Sequence, residues 1–359
     1  MKRLTLSLTL CSLLTVAGAA AQDVCSFSGV LPDNSYDGST AYIINADTHE
    51  KIDSTVIKDK AFAFQTEVKA TLPVVLAINN DSALNFILEP GTLTMQNDGS
   101  VTGAPLNNLN EEIAATVEGY IQEHSKAIQA LQTSGAPKEE ITAEAERLNE
   151  VTTAKFKKYL TQAYSDNRDN VLSYSILKMM YGMLDLSKPE LDAMVAEACD
   201  FTKNSRVVGE LMEMAEKMER TSAGKMFTDF SVTMSNGKTV KLSDYVGKGD
   251  YVLLDFFASW CGPCMREMPT IKRIYEKYKG KGLTVVGLAV WDKPADTKAC
   301  VEQKALPWTI IDNAQKEPAE IYGVTGIPHL ILFGPDGKIV FRGLRGAKLE
   351  AEIDKLMAK

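Results

Sequence analysis

Two cysteines separated by two residues are the part of this sequence best suited to chemistry. Cys261 and Cys264 enclose a Gly-Pro pair and closely follow the apolar run Tyr251–Phe257. That run predicts a buried strand, and Pro263 is typical of the first turn of a helix. A cysteine at the start of a helix has its sulfur near unpaired amide groups, which stabilise a thiolate and lower the pKa of the thiol. The spacing therefore predicts a redox-active pair in which Cys261 attacks and Cys264 resolves.

Two other interpretations of the cysteine pair are half of a zinc site and a purely structural disulfide. Zinc needs two further ligands, but the other cysteines and the three histidines of the chain are single and scattered. A disulfide that closes so short a loop adds little stability. We therefore expect redox chemistry at this pair, with no metal and no other cofactor.

Two acidic residues near the pair are candidates for proton transfer. Asp255 lies inside the apolar run, where burial raises the pKa of a carboxyl group, so that it could exchange a proton with Cys264 near neutral pH. Its alternative position is a solvent-exposed edge of the strand. Glu267 follows Cys264 by one helical turn and is the second candidate. Its alternative role is that of a solvated charge on the helix surface.

The first 21 residues indicate export rather than a fold. Lys2 and Arg3 precede an apolar run over residues 4–16, and the small residues 17–21 suit a signal peptidase. We expect cleavage after Ala21 and release into the periplasm, because the run is shorter than the roughly 20 apolar residues of a membrane-spanning helix. A membrane anchor and a lipoprotein are the alternatives.

Export bears on the cysteines, because disulfides persist outside the cytosol. Of the six cysteines, all but Cys11 follow the signal segment, and they are Cys25, Cys199, Cys261, Cys264 and Cys300. Since this number is odd, at least one thiol is free or pairs between chains. The sequence leaves the pairing of Cys25, Cys199 and Cys300 open.

Three compositional blocks predict a multidomain chain. Residues 22–105 contain short apolar runs (41–44, 61–64, 74–78 and 86–88) between turn-forming residues, which is typical of a small antiparallel β-sandwich or barrel. Residues 106–222 have the three- and four-residue apolar spacing of helices, with a break at 135–137. In residues 223–359 strands and helices alternate, which predicts an α/β layer architecture.

The composition excludes several classes of protein. With 45% hydrophobic and 24% charged residues, the chain has the make-up of an ordinary globular protein and is not expected to be disordered. A formal net charge of -8 argues against a protein that binds nucleic acid. Composition and charge leave the oligomeric state open.

Residues 223–359 resemble the thioredoxin-fold proteins, and most closely the exported TlpA/ResA-like thiol-disulfide oxidoreductases. The resemblance rests on the hairpin at 230–245, the acid at 255, the active-site sequence 260–264, Glu-Met-Pro at 267–269 and Gly-Ile-Pro at 326–328. It implies a thioredoxin-like fold for this block. Residues 87–91 and 103–107 resemble pieces of the small β-domain that often precedes such modules in exported bacterial proteins.

The resemblance also implies roles for residues around the cysteines. In the family, the peptide bond before the position of Pro328 is cis. Ile327 and Pro328 would line a groove for an extended, cysteine-containing peptide. Trp260, Gly262 and Pro263, as members of the active-site sequence, would share in binding that substrate.

Three positions depart from the family pattern. The strand expected over residues 284–290 lacks the lysine that cytosolic thioredoxins pair with the buried acid. His329 stands where a threonine is common; we expect it to face away from the site, the alternative being that it tunes the site. Cys300 lies where the exported group has an extra helix, either as a buried bystander or as a regulatory thiol.

The sequence thus predicts an exported enzyme that reduces protein disulfides through Cys261 and Cys264. Its partners would be disulfide-containing exported proteins and, as in relatives, a membrane electron donor. The alternatives are a disulfide isomerase or oxidant, and a binding protein built on a thioredoxin scaffold. A peroxidase of the peroxiredoxin type is disfavoured, because residues 256–260 lack the proline and the threonine or serine that it places before its nucleophile.

Overall fold

The structure is a computed structural model that describes residues 23–79, 81–184 and 186–358. The predicted signal peptide, residues 1–21, lies outside the described residues. The described chain packs as two compact units, one comprising residues up to 186 and 194–208, the other residues 187–193 and 209 onward. The domain boundaries expected at residues 105 and 222 stay predictions. Within the described ranges, no helix is both long and apolar enough to cross a membrane.

The first unit contains a β-sandwich. The order of one sheet is β4-β1-β7-β8 and that of the other is β3-β2-β5-β6. The strands are β1 (Val24–Val30), β2 (Thr40–Asn45), β3 (Lys51–Val56), β4 (Ala61–Glu67), β5 (Leu72–Ile78), β6 (Asp81–Leu88), β7 (Gly91–Met95) and β8 (Val101–Thr102). Alternating burial in β1 and β4 points one face of that sheet into the core, where the rings of Phe27 and Phe86 lie 4.5 Å apart.

The sandwich differs from the expected antiparallel arrangement at one strand pair. β1 and β7 run parallel, with Cys25 opposite Gly91, although the other strand pairs of the described sandwich are antiparallel. The alternation of apolar and polar residues reports which face of a strand is buried but not the direction of its neighbour. The connection from β1 to β7 passes through the second sheet, and such a long crossover permits parallel pairing.

Helices occupy most of residues 105–220. They are α1 (Pro105–Thr133), α2 (Lys138–Asn167), α3 (Leu172–Met183), α4 (Lys188–Glu197), α5 (Asp200–Asn204) and α6 (Arg206–Arg220). The break between α1 and α2 falls at residues 135–137, as predicted. α1 begins on a buried network in which Glu89 accepts hydrogen bonds from the amides of Leu106 (3.2 Å) and Asn107 (2.8 Å). These bonds satisfy amide groups that a helix start otherwise leaves unpaired.

The second unit is built on a five-stranded sheet in the order β13-β12-β11-β14-β15. Its strands are β11 (Tyr251–Phe257), β12 (Leu283–Val290), β13 (Thr309–Gln315), β14 (His329–Phe333) and β15 (Ile339–Arg342). A hairpin of β9 (Ser231–Thr233) and β10 (Thr239–Lys241) precedes it, and the helices are α7 (Gly262–Tyr278), α8 (Pro294–Lys304), α9 (Glu317–Ile321) and α10 (Gly346–Met357). This arrangement confirms the α/β architecture with a thioredoxin-like order of elements.

The central position of β11 determines where the chemistry lies. β11 pairs parallel with β12 and antiparallel with β14, so both of its edges are paired. Side chains on both of its faces are buried, as its largely apolar sequence predicts. Val252, Leu254 and Phe256 point into one hydrophobic core. Leu253 and Phe257 point into the other, which also contains the two cysteines. Asp255 shares the face of Leu253 and Phe257, because side chains alternate along a strand.

Candidate active site

The two cysteines form a disulfide at the junction of β11 and α7. The Cα atoms of Cys261 and Cys264 lie 5.2 Å apart. Cys261 is the residue that caps α7, and its sulfur accepts a hydrogen bond from the backbone amide of Cys264 at 3.1 Å. The relative exposures of Cys261 and Cys264 are only 3% and 2%. The sulfur of Cys261 therefore sits at the positive end of a five-turn helix, as the spacing predicted.

The loop before β14 approaches the disulfide from the other side. The Ile327–Pro328 peptide bond is cis, as the family resemblance implies. The sulfur of Cys261 lies 3.7 Å from the carbonyl oxygen of Ile327. Pro328 is buried and Ile327 is half-buried, while Gly326 before them is exposed. The structure thus brings the cis-proline loop and the cysteine pair together.

The solvent-facing side of the site is formed by the residues between and before the cysteines. Gly262 and Pro263 are exposed, and 63% of Trp260 is accessible to solvent. The Trp260 ring is nevertheless held in place, because its indole nitrogen donates a hydrogen bond to the carbonyl oxygen of Trp291 at 3.0 Å. An exposed, fixed aromatic surface next to a disulfide is suited to contact with another polypeptide.

Asp255 is buried beneath the site rather than placed on a wet edge. Its relative exposure is 2%, and its Oδ1 atom has no hydrogen-bond partner among the described residues. Burial, aided by the negative charge of Glu267, raises the pKa of Asp255 to about 7, and the positive charge of Arg345 partly opposes this. A carboxyl group with this pKa is partly protonated at neutral pH and can both accept and release a proton.

Glu267 links α7 to the start of α10. It is half-buried, and its Oε1 accepts a hydrogen bond from the amide of Gly346 at 2.8 Å. It is therefore neither a freely solvated helix charge nor seen in contact with a sulfur. Its negative charge acts on the site by raising the pKa of Asp255.

His329 faces away from the disulfide, as expected. It lies opposite Phe256 in the sheet, and that residue points into the core on the other side of β11. Its Nε2 accepts a hydrogen bond from Arg342 Nε at 3.2 Å. Burial and the positive charges of Arg342 and Arg345 lower the pKa of His329 to about 3. The imidazole is therefore neutral throughout the physiological range.

The remaining described cysteines, Cys25, Cys199 and Cys300, are free thiols. Burial raises the pKa of Cys25 to about 11 and also raises the pKa of Cys300. Cys300 is buried with its sulfur 3.7 Å from that of Met265, which agrees with the expectation of a buried bystander. Within the ranges that the structure describes, no group of three or more His, Cys, Asp or Glu residues could hold a metal ion.

One residue that the sequence analysis missed contacts the loop before the cysteines. Asp292 is buried and accepts a hydrogen bond from the amide of Ser259 at 2.7 Å. The signal that could have found it is an acidic residue directly after a buried parallel strand, since the carboxyl ends of neighbouring parallel strands meet at one edge of a sheet. Asp292 follows β12, and Ser259 follows β11.

Comparison with known proteins supports this description. Residues 223–342 match the AhpC/TSA family, and residues 25–122 match a domain of unknown function (DUF4369). The chain is 32% identical over 143 residues to the thiol-disulfide oxidoreductase ResA of Bacillus thuringiensis subsp. konkukian, covering 40% of this chain and 81% of that protein. The match to ResA of Bacillus subtilis is 28% identical and covers 39% of this chain and 76% of the relative.

A solved structure of the thioredoxin domain of a thiol-disulfide oxidoreductase from Bacteroides vulgatus is also similar. It shares 32% identity, covers 38% of this chain and 98% of its own, and superposes with a TM-score of 0.35. Fold and site define an oxidoreductase of thioredoxin-like fold with an N-terminal β-domain. More specifically, the chain belongs to the ResA-like thiol-disulfide oxidoreductases.

Proposed function

We propose that the protein is exported and reduces disulfides in other exported proteins, with Cys261 as nucleophile and Cys264 as resolving thiol. The observation that carries this proposal is the position of the Cys261 sulfur at the N-terminus of α7, 3.1 Å from the amide of Cys264. Helix amides at this distance favour the thiolate, which is the attacking species in disulfide exchange. Export rests on the signal-peptide character of residues 1–21.

The reaction begins when the Cys261 thiolate attacks one sulfur of a target disulfide. The target S–S bond breaks, a mixed disulfide forms with Cys261, and the second target sulfur leaves and takes a proton. Cys264 then loses its proton to the Asp255 carboxylate and attacks the sulfur of Cys261. The target is released with two thiols, and the enzyme keeps the disulfide, so two electrons pass from enzyme to target.

Asp255 and Glu267 are the acid–base residues of this proposal. With a pKa of about 7, part of the Asp255 population is ionised at neutral pH and can accept the proton of Cys264. Glu267 keeps that pKa high through its charge, and its bond to α10 holds it in position. We assign no cofactor, because the two sulfur atoms carry the electrons.

The substrate-binding surface consists of residues that border the disulfide. Trp260, Gly262 and Pro263 form its exposed part, and Ile327 and Pro328 form the part nearest to the sulfur of Cys261. An extended peptide lying here would bring a disulfide sulfur within reach of Cys261, and backbone groups of the loop would bind the peptide backbone.

The reducing direction requires a source of electrons outside the cytosol, for which we propose a membrane electron donor. The Gly-Pro pair between the cysteines resembles that of thioredoxin, whose reduction potential is about −270 mV. We expect the Cys261–Cys264 couple to equilibrate with glutathione buffers near that value. A potential near the −120 mV or so of a strong oxidant would contradict the reductase assignment and favour disulfide formation or isomerisation.

The experiment that tests the function is insulin reduction by the full chain with dithiothreitol as electron source. We expect the wild type to reduce insulin, Cys261→Ser to lose the activity and Cys300→Ala, the matched control at a buried free thiol, to keep it. This assay distinguishes an enzyme from a binding protein, because a binding protein would show no insulin reduction that depends on Cys261.

A further inference from the structure

The loop that carries Cys261 is fixed by a carboxylate from the neighbouring strand. We propose that Asp292 is a positioning residue for disulfide exchange, which holds the Ser259–Trp260 segment so that the sulfur of Cys261 stays at the helix N-terminus. This inference rests on the proposed function. Asp292 lies 33 positions after Ser259 in the sequence.

Each oxygen of the Asp292 carboxylate accepts two hydrogen bonds. Oδ2 accepts from the backbone amide of Ser259 at 2.7 Å and from the hydroxyl of Thr297 at 2.9 Å. Oδ1 accepts from the hydroxyl of Ser259 at 2.9 Å and from the backbone amide of Lys293 at 2.9 Å. Asp292 and Thr297 are buried, so water competes little with these bonds. A charged acceptor makes them stronger than neutral hydrogen bonds.

Two further hydrogen bonds hold the loop after β12, one to the loop after β11 and one to β13. The indole nitrogen of Trp260 donates to the carbonyl oxygen of Trp291 at 3.0 Å. The side-chain amide of Gln315, on β13, donates to the carbonyl oxygen of Asp292 at 3.1 Å. Trp291 itself has a φ of 54°, a conformation that a bulky residue adopts only when its surroundings enforce it. The loop after β12 is therefore a rigid support for the loop after β11.

The position of Cys261 follows from that of Ser259, only two residues before it. The amide of Cys261 donates to the carbonyl oxygen of Ala258 at 3.2 Å, which closes a tight turn around Ser259. If Ser259 moved, the sulfur would shift relative to the Cys264 amide and the Ile327 carbonyl. Small misplacements of a reacting atom reduce rates strongly, which is why a residue without contact to the sulfur can control its reactivity.

The bonds of Asp292 to Lys293 and Thr297 allow a rival explanation, in which Asp292 only stabilises the start of α8. A stabilising role and a positioning role of Asp292 predict different results when Asp292 is replaced. A purely structural role would alter the melting temperature but leave the ionisation of Cys261 in the folded protein unchanged. A positioning role would alter the pH profile of Cys261, because the thiolate would lose part of its contact with the helix amides.

The test compares Asp292→Asn with Asp296→Asn in the full chain. Asp296 is exposed on the first turn of α8, and its replacement by Asn removes the same charge. The readouts are the rate of insulin reduction and the pH dependence of iodoacetamide alkylation at residue 261 of the reduced protein, read by peptide mass spectrometry. For Asp292→Asn we expect exchange about 10-fold to 100-fold slower and an alkylation midpoint at higher pH. Asp296→Asn should match the wild type in both.

A folded Asp292→Asn protein with the wild-type rate and alkylation profile would overturn the proposal, and so would a lower melting temperature without a change in the profile. If Asp292→Asn does not fold, Ser259→Ala replaces it, because this change removes only the hydroxyl bond to Oδ1. We expect a smaller effect in the same direction, and no effect would count against the proposal. Failure of the wild type to reduce insulin would instead refute the proposed function, while the alkylation profile would still test Asp292.

Discussion

Burial governs the acid–base behaviour of single residues around the disulfide, and Asp255 shows this most clearly. A carboxyl group ordinarily has a pKa of about 4, whereas that of Asp255 is raised to about 7. Below the ordinary pKa the group is neutral in both folded and unfolded chains and has no effect on stability. As the pH rises toward 7, the unfolded chain ionises first, so folding becomes less favourable. The cost reaches on the order of 4 kcal/mol once Asp255 is ionised in the folded protein as well.

The first prediction is that Asp255→Asn makes the second unit more stable and its stability less dependent on pH. Compared with the wild type, the free energy of unfolding should gain about 2–3 kcal/mol more at pH 8 than at pH 5. The three tryptophans, Trp260, Trp291 and Trp308, all lie in this unit, so urea unfolding followed by tryptophan fluorescence measures it. The matched control is Asp250→Asn, at an exposed position just before β11. A gain equal at both pH values would refute the raised pKa.

At the scale of elements, the contact between α7 and α10 holds in place a charge that adds to the effect of burial on the pKa of Asp255. Glu267 on α7 accepts a hydrogen bond from the amide of Gly346 at the start of α10. The negative charge of Glu267 adds to burial in raising the pKa of Asp255. Two ion pairs join the same two helices further along. They are Arg273 with Glu350 at 2.9 Å and Lys277 with Asp354 at 2.7 Å. Ion pairs that are largely exposed in this way contribute little stability.

The second prediction concerns Glu267→Gln, which removes the charge and keeps an oxygen that can accept the Gly346 amide. The pKa of Asp255 should fall, because a nearby like charge no longer disfavours ionisation. The loss of stability with rising pH should therefore be smaller and should level off at a lower pH. Tryptophan-monitored unfolding over a pH series checks this, with Glu276→Gln, an exposed change on the same helix, as control. A loss of wild-type size that levels off at the same or a higher pH would mean that Glu267 does not act on Asp255.

The elements differ in how far the sequence predicts them. The central strand and the start of α7 are predicted well, because burial on both faces requires the apolar run 251–257 and because Pro263 suits a first helical turn. The sequence does not predict the parallel pairing of β1 with β7 or the hydrogen bonds between Asp292 and Ser259. Both depend on segments that meet only after folding. Periodicity likewise missed α9, whose five residues are too few to show a helical repeat.

At the scale of the whole molecule, all residues of the proposed site lie in the second unit. That unit includes part of the helical segment before residue 223. Arg342 is half-buried and donates to the hydroxyl of Thr221 at 2.6 Å, to its carbonyl oxygen at 3.2 Å and to the carbonyl oxygen of Tyr322 at 2.8 Å. Gly323 packs so closely on Met218 that a Cβ would lie 2.8 Å from its side chain. The end of α6 thus supports the core of the oxidoreductase.

The third prediction is that residues 209–359 and residues 223–359 both reduce insulin, but with different stability. The shorter fragment leaves the Arg342 guanidinium without its partners at Thr221, which should cost about 1–3 kcal/mol. Chemical denaturation of the two fragments measures the difference. Equal stability would show that residue 223 is already the start of the folding unit. Loss of activity in both, with activity in the full chain, would place part of the site in the first unit.

The fourth prediction is the most direct test of the central claim, that Cys261 attacks and Cys264 resolves. Reduced Cys264→Ser protein, mixed with a peptide that contains a single disulfide, should accumulate a covalent adduct at Cys261, because the second step has no thiol. Intact-mass and peptide mass spectrometry should find this adduct in Cys264→Ser and none at residue 261 in Cys261→Ser. Absence of an adduct in Cys264→Ser, or an adduct at Cys300 instead, would contradict the mechanism.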